Sequence, residues 1–231
     1  MTRVADESAL VLHARPYRET SAIVSLLTAA HGRVAVVARG LRGHRRGNWM
    51  QPFNRVRASW SGRGGGLATL TGCELERHAW LAGDSVASGF YVVELVSRLL
   101  PEHEAVPAIF AAACWVLERL EAGDAPEVVL RVFERRLLEE LGYGLDFARD
   151  AETGADLEPG GQYVLHAGAG FVAASSAGRG FPGAVLLDIG AERYQSRAAR
   201  VAARKIFRQS LSPLLGPRPL ASRRLLTGKR A

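Results

Sequence analysis

The hydrophobic and polar positions of the first 77 residues follow the pattern of short β-strands. Runs rich in Val, Leu and Thr occupy residues 9–14, 21–27, 33–38, 53–60 and 67–74, and turns that contain Gly or Pro separate most of them. Five strands within about 70 residues fit a small closed barrel, because this length leaves no room for helices that would cover a parallel sheet. We therefore predict an N-terminal five-stranded β-barrel of the oligonucleotide-binding (OB) type.

After residue 77 the apolar positions change to helical spacing. Three amphipathic stripes cover residues 91–100, 109–120 and 130–141. Asp124 is placed to cap the third helix, with Glu127 three residues later as its partner in a capping box. Short connections between these helices predict that the three pack together as one bundle.

The segment from residue 143 to residue 190 is rich in glycine and has no clear period. Residues 162–165 and 170–173 are predicted to form the two strands of a hairpin. A last helix is predicted over residues 191–211, and Pro213 is expected to end it. The positions expected to face inward on this helix are Ala198, Val201, Ala202, Ile206 and Phe207.

Together these elements predict a multidomain α+β protein. Residues 1–77 form the OB-type nucleic-acid-binding domain, and residues 78–231 form an α-helical domain. Within the helical domain, residues 146–190 are a Gly-rich insert that contains the small hairpin.

Charge is strongly segregated along the chain. The 231 residues carry a formal net charge of +7. Residues 20–73 contain eight arginines and no acidic residue, and residues 195–231 contain ten basic residues and again no acidic one. The intervening residues 74–194 carry twenty acidic and nine basic residues. Two basic segments therefore flank an acidic centre, which favours a polyanionic partner such as nucleic acid.

The sequence shows no arrangement typical of catalysis or metal binding. Its histidines are scattered, and Cys73 and Cys114 stand far apart without a partner motif. We therefore expect a protein that is not an enzyme and that has no cofactor. The N-terminus lacks the apolar run of a signal peptide, and no stretch has the length of a membrane helix, so we expect an intracellular protein.

The features suited to nucleic-acid binding concentrate between His31 and Gly66. Arginine offers bidentate contacts to phosphate, and aromatic rings offer faces on which bases stack. Trp60 shares a strand face with Val56 and is equally compatible with the barrel core, so Trp49 is the better candidate for stacking. The candidate DNA-binding residues are Arg33, Arg39, Arg42, His44, Arg45, Arg46, Trp49, Arg55, Arg57 and Arg63.

The C-terminal basic segment offers a second candidate zone for DNA. Its alternative interpretation is the solvated face of a helix, and the spacing alone does not separate the two. The residues of this zone are Arg200, Arg204, Lys205, Arg208, Arg218, Arg223 and Arg224.

Several short motifs occur in an order and spacing that are specific as a set. They are His13-x-Arg15-Pro16-Tyr17-x-Glu19-Thr20-Ser21, His31-Gly32-Arg33-Val34, Gln51-Pro52-Phe53, Trp60-Ser61-Gly62-Arg63-Gly64, Leu130-Arg131-x-Phe133-Glu134, Leu141-Gly142-Tyr143-Gly144 and Arg218-Pro219-Leu220. In these motifs, over nearly its whole length, the chain resembles the RecO family of bacterial recombination mediator proteins. The resemblance implies an N-terminal OB barrel, a helical domain and a role in recombinational DNA repair.

The resemblance also implies the partners. Proteins like this bind single- and double-stranded DNA and anneal complementary strands. They engage the acidic C-terminal tail of single-strand DNA-binding protein and, with RecR, help to load RecA. By the same resemblance we expect a location in the bacterial cytoplasm, with the nucleoid and not with a membrane.

The tail of single-strand DNA-binding protein is acidic with an apolar end, so it needs a cation beside a hydrophobic slot. Arg131 lies in the family-like segment LRVFE, with Arg135 at helical distance, and these two are the candidate cations. The alternative is that Arg131 forms an ion pair within its own helix, with Glu127 or Glu134.

The sequence departs from the family pattern at one place. Some members carry a four-cysteine zinc module directly after the Leu-Gly-Tyr-Gly segment, whereas residues 146–154 contain no cysteine here. We therefore expect no zinc, and we expect the hairpin at residues 162–173 to be a metal-free remnant of that module.

Two other functions are compatible with the same residues. An RNA-binding OB-fold protein of translation or ribosome assembly would use the same groove, and it would prefer RNA over DNA in competition. An adaptor with basic faces would dock acidic proteins and would have no affinity for nucleic acid.

Overall fold

The computed structural model describes residues 2–40, 49–62, 66–175 and 180–227. Its N-terminal part contains the five strands β1 (Thr2–Tyr17), β2 (Ser21–Thr28), β3 (Gly32–Ala38), β4 (Arg55–Gly62) and β5 (Ala68–Arg77). They close into a barrel in the order β1-β2-β3-β5-β4. The predicted α+β class and the five-stranded N-terminal barrel are confirmed.

The barrel closes because β1 is long enough to serve two neighbours. Its first part pairs antiparallel with β4, and its second part pairs antiparallel with β2. On the other side, β3 and β5 run parallel and share only the pairs Val36–Ala68 and Val37–Thr69. A register shift in each pairing of β1 allows the strand to curve from one partner to the other.

Side chains on alternate strand positions fill the barrel. On β3, Val34, Val36 and Ala38 are buried, whereas the residues between them are half-exposed. Trp60 is 5% exposed and belongs to this core. The structure therefore resolves the two interpretations of Trp60 in favour of packing. The other large members of the core are Val4, Val11, Val24, Leu26, Met50 and Val56.

The barrel forms one compact unit with three helices. This unit runs from Met1 to Asp124 and resumes at Leu220. Its helices are α1 (Asp84–Leu99), α2 (Pro107–Glu121) and the short C-terminal α6 (Ser222–Thr227), which packs on α1. The first helix ends before Pro101, as the apolar stripe predicts.

The second compact unit runs from Ala125 to Pro219. It contains α3 (Pro126–Glu140), the hairpin of β6 (Gln162–His166) and β7 (Gly170–Ala173), β8 (Phe181–Pro182), α4 (Gly183–Gly190) and α5 (Arg197–Leu215). The predicted hairpin is present, and β8 extends it to a three-stranded sheet in the order β7-β6-β8. Phe133, Phe171 and Phe207 are fully buried in this unit.

The helices group differently from the predicted three-helix bundle. The first two helices belong to the barrel unit, whereas α3 packs with α5 in the second unit. The predicted capping box is also wrong. Asp124 forms an ion pair with Arg119, and the N-cap of α3 is Ala125 without a side-chain hydrogen bond. Pro126 occupies the first turn instead, where its fixed φ suits a helix start and its missing N–H costs nothing.

The last long helix differs from the prediction in its start, its end and its inward face. Ser196 caps it by accepting a hydrogen bond from the backbone N–H of Ala199 at 3.0 Å. Ala199 and Ala203 are buried, whereas Val201 is 60% exposed. Ala202, Ile206 and Phe207 are buried as predicted, so only Ala198 and Val201 were assigned to the wrong face. Adjacent alanine pairs allow two nearly equivalent stripes, which the spacing alone does not separate. Pro213 lies inside the helix, near its end, where its missing N–H removes only one hydrogen bond.

Candidate nucleic-acid interface

Strand register brings several chain segments to one end of the barrel. Pro16 lies opposite Ala22, and Ala22 lies opposite Ala38, so the β1–β2 hairpin and the end of β3 share this end. The end of β4 and the start of β5 join them, because Ser61 and Thr69 are partners and Thr69 also pairs with β3. The start of β1 also lies here, because Thr2 is opposite Gly62. One end of the barrel therefore collects a hairpin tip and four strand ends.

Arg15, Arg18 and Arg39 are exposed at this end, and we call these three residues the basic rim. Arg3, which lies opposite Ser61, is a further exposed arginine at the same end. Within the described part of the chain, none of the three rim residues forms an ion pair with a carboxylate. Arg18 sits at the hairpin tip with a positive φ of 55°, and its guanidinium lies 5.2 Å from the centre of the Tyr17 ring. The rim thus presents three exposed guanidinium groups, with the carboxylate of Glu19 next to Arg18 in the chain.

Five candidate residues, Arg42, His44, Arg45, Arg46 and Arg63, lie outside the described residues. Their segments are joined covalently to this end of the barrel. Residues 41–48 follow Gly40 directly, and residues 63–65 follow Gly62.

Arg33 holds the barrel to the connection between α1 and α2. Its side chain is 17% exposed, and it donates hydrogen bonds to the carbonyl oxygen of Ser97 and to Glu102 at 3.4 Å. The backbone N–H of His103 donates to the Arg33 carbonyl at 3.0 Å. Both the side chain and the backbone carbonyl of Arg33 are therefore engaged in contacts within the barrel unit.

The other strand arginines of the prediction are also paired. Arg55 forms ion pairs with Glu76 at 3.1 Å and with Glu118 at 3.2 Å. Arg57 donates to Asp6 at 2.9 Å, and this hydrogen bond lowers the pKa of the Asp6 carboxyl. A phosphate would have to compete with these carboxylates for either guanidinium.

Trp49 is half-buried and packs against the barrel core. Its backbone carbonyl accepts a hydrogen bond from the Asn54 side chain at 3.2 Å. Part of the indole therefore stabilises the barrel, and only the exposed part is open to a base.

The second candidate zone is divided between the two compact units. Arg223 and Arg224 lie on α6 of the barrel unit, whereas the others belong to the second unit. Arg200 is paired with Glu127 at 2.6 Å and also donates to the carbonyls of Tyr194 and Gln195. The exposed members of the zone are Arg204, Lys205, Arg208, Arg218 and Arg224.

The two candidate cations for the acidic tail are engaged within the second unit. Arg131 is 7% exposed and pairs with the buried Glu134 at 2.9 Å, which is the intrahelical pair of the alternative interpretation. Arg135 pairs with Glu139 at 2.8 Å and donates to the Gly190 carbonyl, where α4 ends, at 2.7 Å. Burial raises the pKa of the neighbouring Tyr194 to about 12, so its hydroxyl stays protonated.

Asp150 organises the cysteine-free loop that follows the Leu141-Gly142-Tyr143-Gly144 motif. Asp150 accepts backbone hydrogen bonds from Glu152 and Thr153 at 2.9 Å and from Ala173 at 2.8 Å. These bonds lower the pKa of the Asp150 carboxyl, with the bond from Thr153 contributing most. The carboxylate therefore ties the loop to β7.

The described ranges contain neither a cluster of metal-ligating side chains nor a helix suited to span a membrane. There, no group of three or more His, Cys, Asp and Glu side chains is close enough to hold a metal ion. No helix within those ranges is both long and apolar enough to cross a membrane.

Two rim residues, Arg15 and Arg18, are absent from the candidates that the sequence supplies. They precede the acid-free segment, and Glu19 follows them directly, so the charge count did not single them out. The signal that could have found them is the turn between two strands, since loops at a barrel end carry function more often than strand faces do.

Comparison with known proteins gives a consistent result over both halves of the chain. The family model described as recombination protein O N terminal matches residues 1–78, and that described as recombination protein O C terminal matches residues 82–224. A DNA repair protein RecO of Cellvibrio japonicus is 41% identical, covering 97% of this chain and 98% of its own length. Those of Pseudomonas paraeruginosa and Methylococcus capsulatus are 41% and 39% identical, covering 100% and 97% of this chain and 98% and 93% of their own lengths. The chain belongs to the RecO (recombination protein O) family.

Proposed function

We propose that this protein is a DNA-binding recombination mediator in DNA repair, and that it contacts DNA through the barrel end that carries the basic rim. Membership of the RecO family supports the repair role. The observation that carries the surface is the position of Arg15, Arg18 and Arg39, exposed at one barrel end without a described ion-pair partner. Free guanidinium groups exchange their counterions for phosphates, which is the main driving force for binding without sequence preference.

The proposed surface includes the residues of the two adjoining segments. Arg39, Arg42, His44, Arg45 and Arg46 follow β3, and Arg63 follows β4, so all six are joined to the same barrel end. Trp49 adds its exposed edge for base stacking. Arg33, Arg55 and Arg57 contribute to the field of the surface while they keep their ion pairs.

The mediator activity needs no bond chemistry and therefore no catalytic group. A basic surface that holds a strand by its phosphates shields the charge of that strand, so a complementary strand approaches with less repulsion. We propose that the protein anneals complementary strands in this way, binds single- and double-stranded DNA, and with RecR promotes the loading of RecA at the bacterial nucleoid.

The tail of single-strand DNA-binding protein is proposed to dock on the second unit. This unit has a cleft of about 550 Å³ whose lining includes Tyr143, Phe171 and Leu214. Such a cleft suits the apolar end of the tail, and Arg131 and Arg135 of the same unit are the proposed cations for its acidic part. The tail would have to share Arg131 with Glu134, since the guanidinium already pairs with that carboxylate.

The proposal is tested by annealing complementary oligonucleotides that are coated with single-strand DNA-binding protein. Wild type is compared with R18A/R39A and with the matched control R119A/R193A, which removes two exposed arginines elsewhere. We expect wild type and control to accelerate annealing and R18A/R39A to lose most of the acceleration. Equal rates for all three proteins would remove the basic rim from the proposal. A preference for RNA over DNA in competition would contradict the DNA role itself.

A further inference from the structure

The helix α5 presents a second basic surface, which lies entirely in the second compact unit. Arg197, Arg204, Lys205 and Arg208 are exposed on it, and the helix carries no acidic residue. Among the described residues, Arg197, Arg204 and Arg208 form no ion pair. Lys205 lies 5.2 Å from the centre of the Phe181 ring, and this contact leaves the positive charge of the ammonium group in place.

The exposed side chains form a line along the helix. Positions 197, 201, 204 and 208 are separated by three or four residues, so they follow one face. At 1.5 Å per residue, Arg197 and Arg208 stand about 16 Å apart along the axis. Phosphates of a stacked strand rise about 3.4 Å each, so the line matches roughly five nucleotides.

Packing fixes this face toward solvent. Ala199, Ala203 and Phe207 are buried on the opposite side of the helix. Arg200 locks the start of the helix through Glu127 and the Tyr194 carbonyl, so it belongs to the support of the surface and not to the surface itself. The line is therefore a stable feature of the unit.

The chemistry favours a phosphate backbone over an acidic peptide with an apolar end. Val201 is the only apolar residue in the line, and it is 60% exposed on a convex helix without a slot. The nearby carboxylates Glu127 and Asp188 are already paired, with Arg200 and Arg193, so they leave the positive charge of the line largely uncompensated. An extended polyanion satisfies such a line better than a peptide that must bury its end.

We propose that α5 binds the phosphate backbone of a second DNA strand while the barrel end holds the first. This inference rests on the proposed DNA-binding function of the barrel. Each protein molecule would then hold one strand on each compact unit, so two complementary strands would be bound to the same molecule. The variant of choice is R204A/R208A, because both side chains are exposed and unpaired and their removal leaves the buried face intact.

The test uses the full chain and oligonucleotides without any other protein. Binding of non-complementary dT oligonucleotides, each about 15 nucleotides long, is titrated to saturation to count strands per protein molecule. Annealing of complementary strands is followed by fluorescence quenching. The control R119A/R149A removes the same charge at two other exposed arginines.

We expect wild type and control to bind two oligonucleotides per molecule and R204A/R208A to bind one, with the first strand still bound at near wild-type affinity. Annealing by R204A/R208A should fall about tenfold, the effect expected for two lost phosphate contacts. Annealing at the control rate would overturn the inference. The inference would also be overturned if R204A/R208A lost the binding of an acidic peptide while its DNA binding stayed unchanged.

Failure of the barrel proposal gives a different pattern. In that case R18A/R39A would retain first-strand binding, whereas R204A/R208A would abolish it. The inference would then be wrong as stated, because α5 would be the first site and not the second.

Discussion

The C-terminal helix α6 is held on the barrel unit by one carboxylate, and its removal should release the helix. Glu94 of α1 accepts hydrogen bonds from the backbone N–H of Ala221 at 2.8 Å, the N–H of Ser222 at 2.9 Å and the Ser222 hydroxyl at 2.6 Å. The side chain of Glu94 is only 20% exposed, so water replaces these bonds poorly. The substitution Glu94→Gln keeps the shape of the side chain and removes the charge.

The expected magnitude follows from the number of bonds. Hydrogen bonds to a charged group contribute about 1.5–3 kcal/mol, and the glutamine oxygen retains part of the set, so the net loss is about 2–3 kcal/mol. Each 1.4 kcal/mol is a factor of ten, so local opening of residues 220–227 should become roughly 30- to 150-fold more frequent. Amide hydrogen exchange measured by mass spectrometry on this segment reports that opening directly.

The effect should also depend on pH with a defined sign. Burial raises the pKa of Glu94, but the hydrogen bonds from Ser222 and Ala221 outweigh it and hold this pKa below its ordinary value of 4.5. A carboxyl with a lowered folded-state pKa stabilises above its ordinary pKa and loses that contribution as the pH falls through the folded value. Protection should therefore persist at neutral pH and weaken only below about pH 4.5. Unchanged exchange in Glu94→Gln, relative to the exposed control Glu140→Gln, would refute this role.

Three further predictions concern the stability of the two units. Arg131→Ala should destabilise the second unit by about 3–5 kcal/mol in urea unfolding, because it removes the ion-pair partner of the buried Glu134 carboxylate, and R131L/E134L should recover most of the loss. Gly32→Ala should cost at least ~3 kcal/mol, since its Cβ would overlap the Glu104 carbonyl, whereas Gly40→Ala, also at positive φ but in open space, should cost about 1–2 kcal/mol. Asp150→Ala should speed amide hydrogen exchange at Thr153 and Ala173, because both N–H groups donate to this carboxylate. In wild type the same faster exchange should appear only when acid protonates Asp150. Unchanged exchange in the variant would contradict the role of Asp150 in holding the loop.

The strand pattern predicted the barrel well because β3 and β4 alternate buried positions with more exposed ones. The alternation of Val34, Val36 and Ala38 with half-exposed residues is visible in the sequence and survives in the structure. By contrast, α4 escaped prediction because its eight residues lie in a Gly-rich segment and begin and end with glycine. Helical periodicity is not measurable over such a short length.

The candidate site was less predictable than the fold. The sequence counts arginines but does not show which carboxylate each one meets, and Arg33, Arg55 and Arg57 find partners that are up to 69 residues away in the chain. Arg18 lay outside the counted segment, yet strand pairing brings it to the same barrel end as Arg39. Charge pairing is a property of the tertiary structure, so it became visible only once the register of the strands was known.

The central claim is that the basic rim of the barrel holds DNA by its phosphates. The most direct measurement is the affinity for single-stranded DNA as a function of salt, for wild type, R18A/R39A and R119A/R193A. We predict a steep linear fall of log K with log salt in wild type and in the control, and a slope lower by about 1.4 in R18A/R39A, since each phosphate contact on a single strand contributes about 0.7. A flat salt response in wild type, or an unchanged slope in R18A/R39A, would contradict the account.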